Sequence, residues 1–306
     1  MTIEKIPITS REQWLSLRKF DITASVESAI NGLHPYVSPL RLYYEKSGLL
    51  DFPKVDDDTG VLRRGRILES AVGTAVEEQK PGWKLEKNNH YFRDTDLGLG
   101  ATPDFFIHGD PRGLGNLQAK TVAPSVYARD WIDGRPPTWI VIQNLVECML
   151  TESVFGAVAA LVIDPFDLPC HITEIERHPG AEAKIREDVA RFWKDIEEGN
   201  EPGADYGLDR ELLAALSPKE TPDVSIDLSS DNEVMAGLAE RADLKLKMKI
   251  ADERCKQIET MIMSRMKEAA IARVPDFRVS WKTEDRKGYT VEPKSSRVLR
   301  IYDKRE

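Results

Sequence analysis

Two short apolar runs with polar interruptions constrain the fold of this chain more than any other feature. Residues 100–107 (GATPDFFI) place Asp104 at the mouth of one run, and residues 115–122 (GNLQAKTV) carry Gln118 and Lys120 in the next. Alternate residues of a strand face the same side of a sheet, and a short turn can join two antiparallel strands. A hairpin of these runs would therefore bring Asp104, Gln118 and Lys120 to one end of a sheet.

The side chains at this end of the hairpin suit phosphodiester chemistry. Mg²⁺ takes oxygen ligands, and it can polarise a phosphate and neutralise its leaving oxygen. A lysine ammonium helps to orient water and to stabilise the developing charge. Glu69, on a predicted helix, is a further candidate acid. Taken singly, each residue has a plainer interpretation: a Pro-Asp turn, an exposed strand face or a surface acid.

The pattern along the chain predicts a mixed α/β layered fold. Cap residues and apolar spacing predict helices from about residue 10 and over residues 25–30, 40–47, 62–78, 139–149, 182–199 and 231–272. Alternating or continuous apolar runs predict strands over residues 83–94, 98–108, 117–122, 157–163 and 171–177, with short strands in residues 277–302.

The composition changes twice, which predicts three parts. Residues 1–205 form the predicted α/β domain, residues 206–230 a linker rich in Pro, Gly and acids, and residues 231–306 a helical segment with a small β tail. Residues 244–250 alternate with a period of two, but their flanks favour a helix. The following apolar residues recur every three or four positions, as in a coiled coil: Cys255, Ile258, Ile262, Met266 and Ala269.

Composition and cysteine spacing exclude several classes of protein. The three cysteines, Cys148, Cys170 and Cys255, form no CxxC pair, which argues against a four-cysteine metal centre and a disulfide framework. No apolar run reaches the roughly 18–20 residues of a membrane span. The N-terminus has no secretory signal, so we expect a cytoplasmic protein without a membrane partner. The net charge of −9 decides little, because a local basic channel can still attract DNA.

The order of these elements resembles the PD-(D/E)xK nuclease superfamily, whose restriction-endonuclease-like fold is a mixed central sheet flanked by helices. More narrowly, it resembles the phage-type recombination exonucleases of the lambda exonuclease or YqaJ group. The resemblance covers about residues 12–165 and rests on a helix acid, a Pro-Asp pair, a polar-x-Lys pair and a glutamine-bearing helix, in that order.

Individual residues take their expected roles from this resemblance. Arg18 and the tetrapeptide ITAS ending at Ser25 resemble the signature that grips a terminal 5′ phosphate. Glu69, in the sequence Arg66-Ile-Leu-Glu, resembles the helix acid, with Arg66 in support. Asp104 corresponds to the metal-binding aspartate. The resemblance thus implies a Mg²⁺ site, with Mn²⁺ as an alternative ion.

The departure from the family pattern is Gln118, which stands where the family carries the glutamate of Glu-x-Lys. The resemblance makes Gln118 a metal ligand, Lys120 the partner of the attacking water, and Gln143 a supporting residue. Three explanations for the missing charge stay open. Glutamine is an accepted ligand, or a displaced acid such as Glu147 supplies the charge, or the nuclease is weakened or inactive. Glu147 lies one helical turn after Gln143, so both share a face.

The predicted function is a Mg²⁺-dependent deoxyribonuclease acting 5′ to 3′ on linear double-stranded DNA ends. The resemblance also implies a ring-like homo-oligomer and a single-strand annealing protein as partner. The alternatives are a DNA-end-binding protein that has lost cleavage, and a structure-specific or restriction-type endonuclease on the same fold. Further candidates for DNA contact, each with a plainer structural role, are Arg63, Arg64, Arg129, Arg135, Trp131 and Trp139.

Overall fold

The computed structural model describes residues 2–50 and 60–285, together with Leu299 and Ile301. The chain divides into two compact units, Met1–Leu216 and Ser217–Glu306. The described strands are Ile3–Pro7 (β1), Ile22–Thr23 (β2), Lys84–Lys87 (β3), His90–Asp94 (β4), Leu99–Ala101 (β5), Phe105–His108 (β6), Gly115–Val122 (β7), Phe155–Val162 (β8), Cys170–Glu176 (β9), Ile271–Val274 (β10) and Phe277–Ser280 (β11). The described α-helices are Arg11–Lys19 (α1), Pro39–Ser47 (α2), Gly60–Gln79 (α3), Pro124–Asp130 (α4), Thr138–Thr151 (α5), Pro179–Glu198 (α6), Arg210–Leu216 (α7) and Asn232–Met266 (α8).

The first unit is built on two mixed sheets. The larger sheet has the order β3-β6-β7-β8-β9, and the smaller one has the order β1-β4-β5-β2. Within the larger sheet β7 and β8 run parallel, while the other neighbours are antiparallel. In the smaller sheet β2 and β5 are parallel. The predicted fold class, a mixed α/β fold with a central sheet flanked by helices, is confirmed.

Helices cover both faces of the larger sheet, which explains why β8 is buried along its whole length. One face packs against α3 through Val72 and Val76, and the other packs against α5 through Ile140. The approach of α5 is so close that a Cβ on Gly156 would lie 1.8 Å from the side-chain oxygen of Asn144. Only glycine fits at that position of the strand.

Most of the predicted helices form where their local signals indicated. The Ser10 hydroxyl accepts a hydrogen bond from the Gln13 amide and caps α1, as an N-cap serine should. Gly48 ends α2 with a φ of 71°, in the left-handed region that suits glycine. The predicted helix over residues 25–30 is instead a 3₁₀ turn at Glu27–Asn31. Helix α7 lies within the predicted linker, and Leu212 on it is buried.

Two predicted strands were wrong in their continuity, because each divides between the two sheets. Residues 83–94 form β3 in the larger sheet and β4 in the smaller one, and residues 98–108 form β5 and β6 in the same way. The Asn88 side chain fixes both breaks, since its amide nitrogen donates to the carbonyls of His90 (2.8 Å) and Pro103 (3.0 Å). Asp104 therefore lies where the chain passes from one sheet to the other.

The second unit contains α8 and a hairpin of β10 and β11. Residues 244–250 are helical, as predicted. The predicted helix end at residue 272 was wrong: α8 ends at Met266, and Lys267 follows with a φ of 46°. The next residues turn into β10, which pairs with β11. The other predicted strands of the tail, over residues 289–293 and most of residues 297–302, lie outside the described residues.

No helix in the described part of the chain is both long and apolar enough to cross a membrane.

Candidate active site

The β6–β7 hairpin brings Asp104 and Gln118 into direct contact. Phe105 pairs with Leu117 in the antiparallel register, so the residues that precede and follow them lie opposite each other. The Gln118 side-chain nitrogen donates to Asp104 Oδ2 at 2.7 Å, and the Ala119 amide donates to the same oxygen at 2.8 Å. The carboxylate is thus held at the end of the larger sheet by two donors from β7.

Gln143 on α5 joins this pair to the lysine. Lys120 Nζ donates to Gln143 Oε1 at 3.0 Å. The Gln143 amide nitrogen donates to Gln118 Oε1 at 2.8 Å and to Glu147 Oε1 at 3.0 Å. These bonds fix the orientation of both amides, because turning either one would face two donors or two acceptors toward each other. Gln118 therefore presents its nitrogen, and not its oxygen, to Asp104.

Glu147 is a buried acid with an unsatisfied oxygen. The residue is fully buried, and its Oε2 atom has no hydrogen-bond partner. Burial raises the pKa of Glu147 well above its usual value, and the negative charge of Asp104 raises it further. A buried oxygen without a partner costs about 1–3 kcal/mol. A buried polar atom without a partner, next to other ionisable groups, makes Glu147 a candidate binding residue.

The charges of Asp104 and Lys120 are also perturbed by burial. Burial raises the pKa of Asp104 to about 6, the ammonium of Lys120 opposes this rise, and the charge of Glu69 adds to it. Burial lowers the pKa of Lys120, while Asp104 and Glu147 oppose the change. The Lys120 ammonium lies 5.4 Å from the centre of the Trp139 ring. Three ionisable groups thus influence one another in a confined volume, as in many catalytic sites.

Glu69 on α3 lies near the same end of the sheet, since its charge acts on Asp104. Its carboxylate forms an ion pair of 2.9 Å with Lys87 at the end of β3. Lys87 was missed by the sequence analysis, because nothing in its local sequence marks it. Arg66 is exposed on α3, and Arg64 is partly buried with its Nε atom lacking a partner.

The donor set at this site fits a hard divalent cation. Its oxygen donors are the carboxylates of Asp104, Glu69 and Glu147 and the amide of Gln118, and oxygen ligands are those that Mg²⁺ prefers. Among the described residues, no group of three or more His, Cys, Asp or Glu side chains is already arranged to hold a metal ion. The unsatisfied Glu147 oxygen supports the fit, since it is a buried carboxyl oxygen without a hydrogen-bond partner, and a bound cation would favour its ionised form.

A second group of polar side chains surrounds Arg18. Its Nη2 atom donates to the Ser25 hydroxyl at 3.0 Å, and that hydroxyl lies 3.1 Å from the hydroxyl of Thr23. The Arg18 guanidinium stacks over the Trp14 ring, 4.4 Å from its centre. Hydroxyls and a guanidinium in this arrangement can bind a phosphate. The structure therefore brings Arg18 and Ser25 together.

Trp14 links the polar group around Arg18 to the β6–β7 hairpin. Its indole nitrogen donates to the hydroxyl of Thr102 at 3.0 Å, and Thr102 lies two residues before Asp104. Trp14 lies in the helix predicted from about residue 10 and was not among the candidate site residues. The contact spans 88 positions of the chain, so no local signal could have identified it.

His34 forms a second link between the two groups. Its Nδ1 atom accepts from the backbone amides of Tyr36 (3.2 Å) and Val37 (3.0 Å). The pKa of His34 is lowered chiefly by burial and also by the charge of Lys120, while a hydrogen bond to the backbone of Ser25 opposes the change. Nδ1 is therefore an acceptor, and the neutral ring connects the Ser25 segment with the Lys120 side. His34 was also missed in the sequence.

The remaining candidates for DNA contact are divided between surface and core. Arg63 and Arg135 are exposed. Arg129 is exposed but pairs with the neighbouring Asp130 at 2.6 Å. Trp131 is buried and stacks on Tyr127 with ring centres 5.5 Å apart, so it has the plainer of its two expected roles, a structural one.

The structure is similar to solved structures of exonucleases. The structure is similar to the crystal structure of LHK-Exo, an alkaline exonuclease from Laribacter hongkongensis, with a TM-score of 0.52 and 19% identity over 61% of this chain and 93% of that chain. The chain has the fold of this alkaline exonuclease. A phage-related exonuclease from Haemophilus somnus 129PT matches at a TM-score of 0.43 and 12% identity, over 60% of this chain and 96% of that one.

The sequence is also similar to a curated bacterial protein. It is 24% identical over 277 residues to the uncharacterized protein YqaJ of Bacillus subtilis strain 168, covering 89% of this chain and 83% of that protein. No protein-family model matches the sequence. Together with the alkaline exonuclease fold, this similarity confirms the predicted resemblance to the phage-type exonucleases of the lambda exonuclease or YqaJ group.

Proposed function

We propose that the chain is a Mg²⁺-dependent deoxyribonuclease that degrades one strand of linear double-stranded DNA from the 5′ end, in phage-type recombination. The observation that carries this proposal is the pair of linked side-chain groups. One contains Asp104, Gln118 and Lys120, and the other contains Arg18 and Ser25. The alkaline exonuclease fold and the similarity to YqaJ support it.

Asp104, Glu69, Gln118 and Glu147 would hold the Mg²⁺ ion, which supplies polarisation of the phosphate and charge neutralisation on the leaving oxygen. Gln118 can offer its oxygen only if its amide turns over, which breaks its hydrogen bonds to Asp104 and Gln143. Glu147 needs no such change, because one of its oxygens has no partner. We therefore assign the missing negative charge to Glu147.

Lys120 stabilises charge on the reacting phosphate and orients the attacking water. Its ammonium is held by the Gln143 oxygen at 3.0 Å, which limits its motion and lowers the entropy lost on reaching the transition state. Because burial lowers the pKa of Lys120, its proton is more easily given up than that of an exposed lysine. Gln143 acts through Lys120 and Gln118, so it is a positioning residue.

Arg18, Ser25 and Thr23 bind the terminal 5′ phosphate. The guanidinium supplies a charged donor fork, and the two hydroxyls supply further donors. The Trp14–Thr102 hydrogen bond ties this group to the segment that carries Asp104. A phosphate held there sets the distance between the DNA end and the reacting bond, which is the geometric basis for starting at 5′ ends.

The polarity and the end requirement can be tested with the purified full-length chain. Linear duplexes with a 5′ phosphate or a 5′ hydroxyl, and a closed circular duplex, are incubated with Mg²⁺ and compared. We expect digestion of linear DNA alone, faster with the 5′ phosphate. In Arg18→Ala this advantage should fall about 10- to 100-fold, since a hydrogen bond to a charged group contributes about 1.5–3 kcal/mol.

The same assay separates the alternatives. Cutting of the closed circle would support a structure-specific or restriction-type endonuclease and would contradict the proposal. Binding of ends without cleavage, with either Mg²⁺ or Mn²⁺, would support the DNA-end-binding alternative. Glu147→Gln tests the assignment of the missing charge: full activity in this isosteric variant would contradict it.

We also propose, from the resemblance, that the enzyme works as a homo-oligomer with a single-strand annealing protein. Light scattering gives the molar mass of the purified protein in solution and so tests whether it is a homo-oligomer. The second proposal predicts that a purified single-strand annealing protein binds the chain in a pull-down from defined components.

A further inference from the structure

Helix α8 presents a regular apolar seam. Of its 35 residues, all of which the structure describes, Met266 alone is buried. Apolar or small side chains recur at alternating intervals of four and three residues, which is the spacing of a coiled coil. These seam residues are Leu244, Met248, Ala251, Cys255, Ile258 and Ile262. All of them are exposed except Ile262, which is partly buried.

The seam has defined ends. The next position of the same repeat on the N-terminal side is Arg241, and the next on the C-terminal side is Arg265. A charged residue at a core position of a coiled coil is costly. The apolar repeat therefore runs from Leu244 to Ile262, which is nearly three heptads.

The charges beside the seam select a partner and an orientation. In a parallel in-register coiled coil, the residue immediately before Arg241, Met248 or Cys255 on one helix faces a residue of the other helix. That facing residue is five positions further along the sequence. The three such pairs are opposite in sign: Glu240 with Lys245, Lys247 with Asp252, and Arg254 with Glu259. Two-fold symmetry would repeat each pair, giving six attractive contacts.

The antiparallel alternative is disfavoured by the same charges. With the six seam residues aligned in opposite directions, Asp252 would face the Asp252 of the other copy and Arg254 the other Arg254, and only Lys245 and Glu259 would form attractive pairs, two in place of six. Like charges at these positions are repulsive. Charge complementarity therefore favours a second copy of the same helix, in parallel.

We propose that α8 forms a parallel, in-register coiled coil with α8 of a second copy of this chain. The proposal stands independently of the nuclease activity, since it uses no residue of the active site. In such a coiled coil Cys255 of one copy faces Cys255 of the other. A disulfide between these two residues would therefore report the parallel, in-register pairing. The other two cysteines, Cys148 and Cys170, are buried in the first unit.

Oxidative crosslinking tests the parallel register. The full-length chain at micromolar concentration is treated with copper–phenanthroline in air, which takes two electrons and two protons from a pair of facing thiols. We expect a disulfide-linked dimer that reductant reverses and that Cys255→Ser abolishes. A chain that is monomeric by light scattering at this concentration, or that gives no Cys255 crosslink, would overturn the proposal.

A matched pair of lysine substitutions tests the seam itself. Ile258 is on the seam and 39% exposed, whereas Ile250 is off the seam and 58% exposed on the same helix. Ile258→Lys should abolish the crosslink and raise the dissociation constant for self-association at least about tenfold. Ile250→Lys should leave both unchanged, with circular dichroism checking helix content in each variant. Equal effects of the two substitutions would contradict a seam.

A charge exchange tests the partner residues. Arg254→Glu places two acids opposite each other in the parallel pairing and should weaken self-association about tenfold. Adding Glu259→Arg recreates an attractive pair and should restore both association and crosslinking. Failure of the double variant to recover association, with helix content intact, would rule out the proposed register.

Discussion

Gln118→Glu is the substitution that most sharply tests the arrangement at the hairpin. It replaces a donor that lies 2.7 Å from Asp104 Oδ2 by a second carboxylate. The pKa of Asp104 is raised to about 6, so at about pH 8 this acid is ionised before the new one is added. At an effective dielectric constant of about 20, two charges at this separation repel each other by about 6 kcal/mol.

The two carboxylates can relieve this repulsion by sharing a proton, as like-charged pairs do. Holding the shared proton at about pH 8 costs about 3 kcal/mol on Asp104, whose pKa is about 6, and about 5 kcal/mol on an unperturbed glutamate, from about 1.4 kcal/mol for each pKa unit. Since side chains also relax, we expect the variant to lose about 2–5 kcal/mol of stability without metal. In a unit of this size that corresponds to a melting temperature lower by about 5–15 °C.

The assay is thermal unfolding of the DNA-free chain at about pH 8, in chelator and then in millimolar Mg²⁺. An added cation converts the repulsion between the two acids into ligand charge. The variant should therefore gain more stability from Mg²⁺ than the natural chain does, about 2.7 kcal/mol when the ion exceeds its dissociation constant a hundredfold.

Asn116→Asp is the matched control. Asn116 lies two positions earlier on the same strand and is fully buried, with its amide nitrogen toward Cys148 instead of Asp104. This control should also destabilise the chain, but Mg²⁺ should not restore it. Two results would contradict this prediction: a Gln118→Glu variant with the same melting temperature as the natural chain in chelator, or an equal gain in stability from Mg²⁺ in both variants.

Three further perturbations test other parts of the structure. Burial raises the pKa of Glu27 to about 7. Above that pH the folded chain carries the ionised carboxylate at a cost in free energy. Below about pH 4 the carboxyl is protonated in both the folded and the unfolded chain. Glu27→Gln should accordingly stabilise the chain by up to about 3 kcal/mol above pH 7, and by nothing below about pH 4, in urea unfolding. Gly156→Ala would place a Cβ 1.8 Å from an Asn144 oxygen, and it should destabilise the fold by about 1–3 kcal/mol or more in the same assay. Lys46 donates to the carbonyl of Arg18 at 2.8 Å. Lys46→Met should therefore raise KM for 5′-phosphorylated ends with little change in kcat, and Lys46→Arg should retain part of the affinity.

Each of these predictions can fail in a recognisable way. A stabilisation by Glu27→Gln that is the same at both pH values would mean that the charge of this residue is not the cause. A Gly156→Ala chain as stable as the natural one would contradict the close approach of α5. Equal changes in KM for phosphorylated and hydroxyl ends in Lys46→Met would contradict its action through Arg18.

Local signals in the sequence predicted most helices and the fold class, because caps and apolar spacing act within a few residues. Ser10 and Gly48 are examples of such signals. The exchange of strands between the two sheets could not be predicted, because it depends on the contact of Asn88 with Pro103. The end of α8 was also missed. Residues 267–270 favour a helix, but the pairing of Ile271 with Ser280 draws the chain into a strand.

The candidate site divides in the same way. The period of two along a strand placed Asp104 opposite Gln118, and the helical spacing placed Gln143 beside Glu147. The orientation of the Gln118 amide depends on the whole hydrogen-bond network, which one position cannot reveal. Trp14 and His34 gave no signal at all, since their contacts join distant parts of the chain.

The central claim, that Asp104 and Lys120 belong to a metal-dependent phosphodiester site, is tested most directly by one rate comparison. The release of nucleotides from a 5′-phosphorylated linear duplex in Mg²⁺ is measured for the natural chain, Asp104→Asn and Lys120→Met, with folding checked by circular dichroism. We expect each variant to lose activity by about a hundredfold or more, because each removes charge from the reacting centre. Cleavage at the natural rate by folded Asp104→Asn would contradict it.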